Sequence, residues 1–198
     1  MTIPPDATGV SDWHRACVAA MKSAPLQPEQ PLTTATGFVV ECARELALAQ
    51  VATAENAGGQ GSSGTGVGAA AMVRSVIYQA SVAAEVGRCE RSAGAAVAQI
   101  EAARGSCGSS VAGTEPAVVI LPNTVAAQGV CGLRVDPSGI SAGDLIFWDY
   151  RDSAPTHVGV AVSVTQLVTV DPVSGGFVQR AIPTARDVRA KRVLGGGV

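Results

Sequence analysis

The chain lacks several features that define large classes of protein. Its 198 residues contain no run of about eighteen apolar residues, so no membrane-spanning helix is predicted. The first residues, MTIPPDAT, lack the charged start and apolar centre of a signal peptide. A net charge of −2 provides no basic field for nucleic acid, and we interpret the short basic cluster at residues 186–192 as a solvated surface.

Metal and nucleotide signatures are also missing. The sequence has five cysteines and two histidines, but no C-x-x-C pair and no Cys/His cluster with metal-ligand spacing. The glycine-rich stretch at residues 58–68 lacks the Gly-Lys-Ser/Thr ending of a phosphate loop. We therefore predict no metal, no cofactor and no nucleotide site.

The composition is that of a folded chain, with 47% hydrophobic and 15% charged residues. Residues 12–110 are alanine-rich and helical in pattern, whereas residues 117–182 alternate β-branched runs with Gly, Pro and Asp turns. No repeat has a fixed period. This organisation predicts an α+β fold in which a small antiparallel sheet packs against helices.

Residues 141–162 carry the strongest local signal, a β-hairpin. Gly143-Asp144 is a predicted turn, LIFW an apolar strand, and residues 149–156 a polar loop. The second strand is then expected to begin at His157. A lone histidine in a strand is usually structural, so its role depends on the residues around it.

Those 22 residues resemble the NlpC family of papain-like cell-wall cysteine peptidases, whose signature is PGDLVFF…HVGIYVG. The resemblance implies a papain-like fold, with His157 at the position of the catalytic base. A cysteine peptidase also needs a third polar group to orient the imidazole. The family spacing of about a dozen residues gives Thr169 for this third position. Asp171 is an alternative orienter, but it also suits a cap of the following turn.

The nucleophile position is the main departure from the family. Residues 68–82, GAAAMVRSVIYQASV, look like the family helix DCSGLVQYVYRQAGV, which places Ala69 where the thiol should be. Residues 120–128, ILPNTVAAQ, resemble the family segment LPR-(S/T)-xx-Q. A methyl group cannot be activated as a nucleophile, so this register implies a degenerate member.

The same register divides the chain into two regions. We predict a helical N-terminal extension at residues 1–57 and an NlpC-like domain at residues 58–198. Residues 83–119 are then a helical insertion, since relatives have only a few residues there.

The sequence also contains rival thiols for the nucleophile. Cys107, in GSCGSS, is the alternative nucleophile, although no helix is predicted to begin there. Cys42 is expected to be a small buried residue on an amphipathic helix. A disulfide between Cys89 and Cys107 would close the insertion in an exported protein. Cys17 and Cys131 suggest no mechanism.

Three functions follow from these alternatives. The first is a non-catalytic NlpC-like domain that binds peptidoglycan stem peptides or acts as a cell-wall scaffold. The second is an active cysteine endopeptidase that uses His157 and Cys107. The third is an interaction protein whose N-terminal helices bind a protein partner. The resemblance suggests a secreted or wall-associated protein, although the sequence alone leaves the compartment undetermined.

Overall fold

A computed structural model of the protein describes residues 37–56, 68–90, 118–185 and 187–194. These residues form three α-helices, α1 (Phe38–Asn56), α2 (Ala69–Val86) and α3 (Val125–Gln128), and a short 3-10 helix at Pro137–Gly139. They also form six strands, β1 (Leu133–Val135), β2 (Leu145–Arg151), β3 (Ala154–Ala161), β4 (Gln166–Val170), β5 (Phe177–Ala181) and β6 (Arg189–Arg192). The predicted α+β class is confirmed.

The strands form one sheet in the order β1-β6-β2-β3-β4-β5. Every neighbouring pair is antiparallel, as the turn-rich sequence predicts. Strands β2 to β5 follow one another as hairpins. Strand β6 follows the other strands in sequence, but it lies between β1 and β2 in the sheet.

Helices α1 and α2 share a core with one face of the sheet. Leu46 of α1 and Ile77 of α2 are buried with Phe147, Val158 and Val160 of the central strands. Complete burial of an aliphatic or aromatic side chain of this size stabilises the fold by about 1.5–3 kcal/mol. The α1 segment falls within the predicted N-terminal extension and packs in the same core as the rest of the described chain.

The opposite face of the sheet has a smaller apolar cluster. Ile146 of β2, Ala161 of β3 and Leu167 of β4 are buried there, with Val188 packed against them. Strand β2 therefore contributes apolar side chains to both faces. This explains why its first half reads as an unbroken run, LIFW, instead of an alternating pattern.

The β2–β3 hairpin forms as predicted, but its loop is much shorter. The expected polar loop at residues 149–156 is wrong, because β2 continues to Arg151 and β3 begins at Ala154. Only Asp152 and Ser153 form the turn, and both have left-handed φ values, of 49° and 68°. Two successive left-handed residues suit a two-residue hairpin. His157 consequently lies inside β3 and not at its start.

Candidate functional site

His157 lies on the side of β3 that faces away from the helices. Its neighbours Val158 and Val160 belong to the core shared with the helices, whereas Ala161 belongs to the opposite cluster. His157 pairs with Trp148 across the hairpin. The two rings are stacked, with centroids 5.4 Å apart and planes 19° apart. The indole therefore fixes the plane of the imidazole.

One nitrogen of the imidazole faces a polar cluster formed by the end of the hairpin. The Nδ1 atom of His157 lies 2.9 Å from Oγ1 of Thr156 and 3.5 Å from Oδ2 of Asp149. The side chains of His157 and Asp149 are 37% and 42% exposed. A ligand in solvent can therefore reach this cluster, which the sequence analysis did not identify.

Asp149 has an unusual backbone that changes the direction of the strand. Its φ is 54°, a value that is uncommon for a residue other than glycine and that aspartate tolerates better than most. Trp148 packs against the smaller apolar cluster on the opposite face of the sheet, whereas Tyr150 packs against the core shared with the helices. Two residues apart in a regular strand would share a face. The left-handed residue between them reverses the alternation.

Both residues predicted to orient His157 make other hydrogen bonds. The buried hydroxyl of Thr169 donates to the carbonyl oxygen of Val158 at 2.7 Å. The carboxylate of Asp171 accepts from the backbone N–H groups of Val173 and Ser174 and from the Ser174 hydroxyl. These contacts confirm the turn-cap alternative for Asp171. Hydrogen bonding from Val173 and Ser174 holds the pKa of Asp171 below its usual value.

Ala69 is the first residue of α2, with Gly68 in an extended conformation before it. The expectation that a helix begins at this point is confirmed. Among the described residues, no side chain caps this end of the helix. The N–H groups of Ala71 and Met72 donate to the carbonyl oxygen of Gly68 at 2.9 and 3.1 Å, so those of Ala69 and Ala70 have no partner within the helix. The Ala69 side chain is partly buried against the core shared with the helices.

The segment around α3 connects the start of α2 to the hairpin. Gln128 is fully buried, and its Nε2 donates to the carbonyl oxygens of Ala70 and Pro122 at 2.9 and 2.8 Å. The adjacent Gly129 is so close to Pro155 that a Cβ there would meet Cγ of the ring at 2.6 Å. Pro155 is two residues before His157. These contacts link the first turn of α2 to strand β3, whereas the His157 ring lies on the face of β3 that points away from the helices.

The cysteines within the described part of the chain are oxidised. Cys42 and Cys89 form a disulfide that joins α1 to the residues after α2. The expected pairing of Cys89 with Cys107 is therefore wrong, and Cys42 is not a free core thiol. Cys131 is also disulfide-bonded. Cys107, the alternative nucleophile, and Cys17 lie outside the described residues.

Within the described residues, no group of three or more His, Cys, Asp or Glu side chains has the geometry of a metal site. No helix among them combines the length and the apolar character needed to cross a bilayer.

No protein-family model matches the chain, and no curated protein is significantly similar to it.

Proposed function

We propose that this protein is a non-catalytic, NlpC-like domain of papain-like fold that binds peptidoglycan stem peptides. The observation that carries the proposal is the helix start at Ala69, where the family resemblance expects the nucleophilic cysteine. A methyl group at that position cannot form a covalent intermediate. A domain that keeps the surrounding elements without the thiol would bind its ligand and not cleave it.

Contacts between the motif segments support the register on which this proposal rests. Residues 120–128 were aligned with the family segment that lies between the nucleophile helix and the hairpin. In the fold, Gln128 bonds to Ala70, and Nε of Arg74 in α2 donates to the carbonyl of Leu121 at 2.7 Å. Two segments that are far apart in sequence therefore contact each other, which is what the resemblance leads us to expect.

The cysteine chemistry gives independent support for a non-catalytic role. Cys42, Cys89 and Cys131 are disulfide-bonded, so none of them supplies a thiolate. Disulfides of this kind persist in oxidising compartments, such as the exterior of a cell. A wall-associated location fits a chain that is stabilised in this way.

The surface around His157 offers the chemistry that a short peptide needs. The partly exposed indole of Trp148 provides an apolar face, and the imidazole and the Asp149 carboxylate provide polar groups beside it. Aromatic side chains with a few convergent polar groups are typical of ligand sites. Peptide side chains would pack on the indole, and peptide N–H groups would bond to the polar edge.

Calorimetric titration with purified stem-peptide fragments of peptidoglycan tests the proposal. We expect saturable binding without cleavage, and a loss of about tenfold or more in affinity for Trp148→Ala and for His157→Ala. Arg180→Ala is the matched control, because Arg180 is exposed on β5, two strands away from β3. Absence of binding by the unmodified chain would refute the proposal.

Mass spectrometry of the same mixtures separates binding from peptidase activity. Cleaved fragments, together with fast labelling of a thiol by an electrophile that slows in His157→Ala, would establish the active enzyme instead. Slow labelling that His157→Ala leaves unchanged is the result expected for a domain without a nucleophile.

A further inference from the structure

We propose that Thr156 and Asp149 are positioning residues that hold His157 in a single tautomer, with hydrogen on Nδ1 and the lone pair on Nε2. The tautomer is a property of the free protein. In the complex, Nε2 accepts a hydrogen bond from an N–H or O–H group of the ligand. This role rests on the function proposed above and specifies that the ligand presents a donor to the site.

The hydrogen atom of the Thr156 hydroxyl determines the tautomer. Oγ1 of Thr156 lies 2.7 Å from the backbone oxygen of Asp149 and 3.0 Å from its Oδ2. Both of these oxygens only accept, so the single hydroxyl hydrogen is directed to Asp149. Towards His157, 2.9 Å away, the hydroxyl can then offer only a lone pair. Nδ1 must therefore carry the hydrogen in this contact.

The Asp149 carboxylate reinforces the same arrangement. Its Oδ2 is 3.5 Å from Nδ1 of His157, where a negative charge favours an N–H over a lone pair. Arg151 also contacts this carboxylate, with Nη2 3.5 Å from Oδ2, but the Arg151 side chain is 75% exposed and its effect is screened by water.

The left-handed backbone conformation of Asp149 supports a functional role for the polar cluster around His157. A left-handed conformation is uncommon for a residue other than glycine, and such conformations cluster at functional sites. Here the conformation at φ 54° accompanies a residue that presents both its carbonyl oxygen and its carboxylate to the same hydroxyl. The arrangement resists rotation of Thr156, and stacking on Trp148 resists rotation of the imidazole.

Nε2 is the atom that this arrangement leaves for a ligand. Among the described residues, no hydrogen bond to Nε2 is formed, and the His157 side chain is more than one-third exposed. A neutral imidazole with hydrogen on Nδ1 presents an acceptor at Nε2. The ligand group facing it is therefore a donor, such as a peptide N–H, an amine or a hydroxyl.

Long-range nitrogen–proton NMR of the unliganded protein tests the tautomer directly. The spectrum is taken at about pH 8.5, where an ordinary imidazole is neutral, and the signals of the two histidines are separated with His157→Ala. We expect the pattern of an Nδ1–H ring in the unmodified chain and in Thr156→Ser. Thr156→Val, which keeps the shape without the hydroxyl, should show a mixture of tautomers.

Two further variants distinguish positioning from general stability. Asp149→Gly tolerates the left-handed backbone and keeps the carbonyl acceptor, so it should retain most of the Nδ1–H form. Thr169→Val removes a buried hydroxyl that bonds to Val158, and it should leave the ring signals unchanged. An Nε2–H ring in the unmodified chain, or an unchanged spectrum in Thr156→Val, would overturn the proposal.

Peptide affinity provides the second readout. Thr156→Val should weaken binding of the stem-peptide fragment by about fivefold, whereas Thr156→Ser should bind within about twofold of the unmodified chain. If no variant binds peptide, the proposed function fails while the NMR result still decides the tautomer. If peptide binds equally well to Thr156→Val, the inferred role of the tautomer in recognition fails by itself.

Discussion

Asp144 and Arg192 form an ion pair that is almost withdrawn from water, with side chains 2% and 9% exposed. Nε and Nη2 of Arg192 donate to Oδ1 and Oδ2 of Asp144 at 2.8 and 2.9 Å. The carboxylate also accepts from the backbone N–H of Ser141 at 2.8 Å. Hydrogen bonding to Asp144 raises the pKa of Arg192. The pair connects the turn before β2 to strand β6.

Removing the guanidinium should therefore be costly. We expect Arg192→Leu to lower the free energy of unfolding by about 3–5 kcal/mol, because it leaves the Asp144 carboxylate buried without its charged partner. Urea denaturation followed by circular dichroism measures the change. Arg180→Leu, at an exposed position of β5, should stay within about 0.5 kcal/mol of the unmodified chain. A similar small effect for Arg192→Leu would contradict the importance of the pair.

The oxidation state of the cysteines makes a second prediction. With Cys42 joined to Cys89 and Cys131 also bonded, the five cysteines should leave one free thiol per chain. Thiol titration in denaturant without reductant counts it. The double variant Cys42→Ala/Cys89→Ala should lose about 2–4 kcal/mol of stability, because the bridge spans 47 residues. Three free thiols would show that the α1 bridge does not form.

The Ala69→Cys variant tests the register of α2. A thiol at this helix start, in an NlpC-like site, should have a pKa below its ordinary value of about 8.5, because the helix N-terminus favours a thiolate. The rate of iodoacetamide labelling as a function of pH measures it. Glu45→Cys, exposed in the middle of α1, is the control that should titrate normally. An ordinary thiol pKa at residue 69 would refute the register, and restored peptidase activity would strongly support it.

Acid should weaken the β4–β5 turn through Asp171. Hydrogen bonds from Val173 and Ser174 lower the pKa of this carboxyl from 3.8, so the group stabilises the fold at higher pH. The contribution is complete above the ordinary pKa and is lost as pH falls through the lowered value. The stability difference between the unmodified chain and Asp171→Ala should shrink below about pH 3.8 in urea titrations. A difference that is independent of pH would exclude this mechanism.

Local sequence signals predicted the elements that depend on nearby residues. The Gly143-Asp144 turn, the β2 run and the start of α2 at Ala69 follow from turn chemistry, apolar patterning and a glycine-rich approach. The loop at residues 149–156 was mispredicted because its polar residues gain strand hydrogen bonds from the opposite side of the hairpin. Pairing with a neighbour overrode composition at this point.

The missed parts of the site depend on register and on long-range pairing. The Asp149–Thr156 contact follows once Asp152 and Ser153 are recognised as a two-residue turn, because that turn places residues 149 and 156 opposite each other. The Cys42–Cys89 bridge carries no such local signal. This pairing depends on the packing of α1 on α2, which cysteine spacing alone does not reveal.

The position of β6 has a consequence for how the chain reaches its native state. Leu133 pairs with Arg192 and Phe147 with Arg189, so β1 joins the sheet only through a strand from the far end of the sequence. Such distant pairing requires a large loop to close before the contacts form, which slows folding. The hairpins from β2 to β5 can assemble first. The backbone groups on the other edge of β2 then stay unpaired until residues 189–192 form β6 beside it. A chain shortened before Arg189 should therefore expose that edge and aggregate.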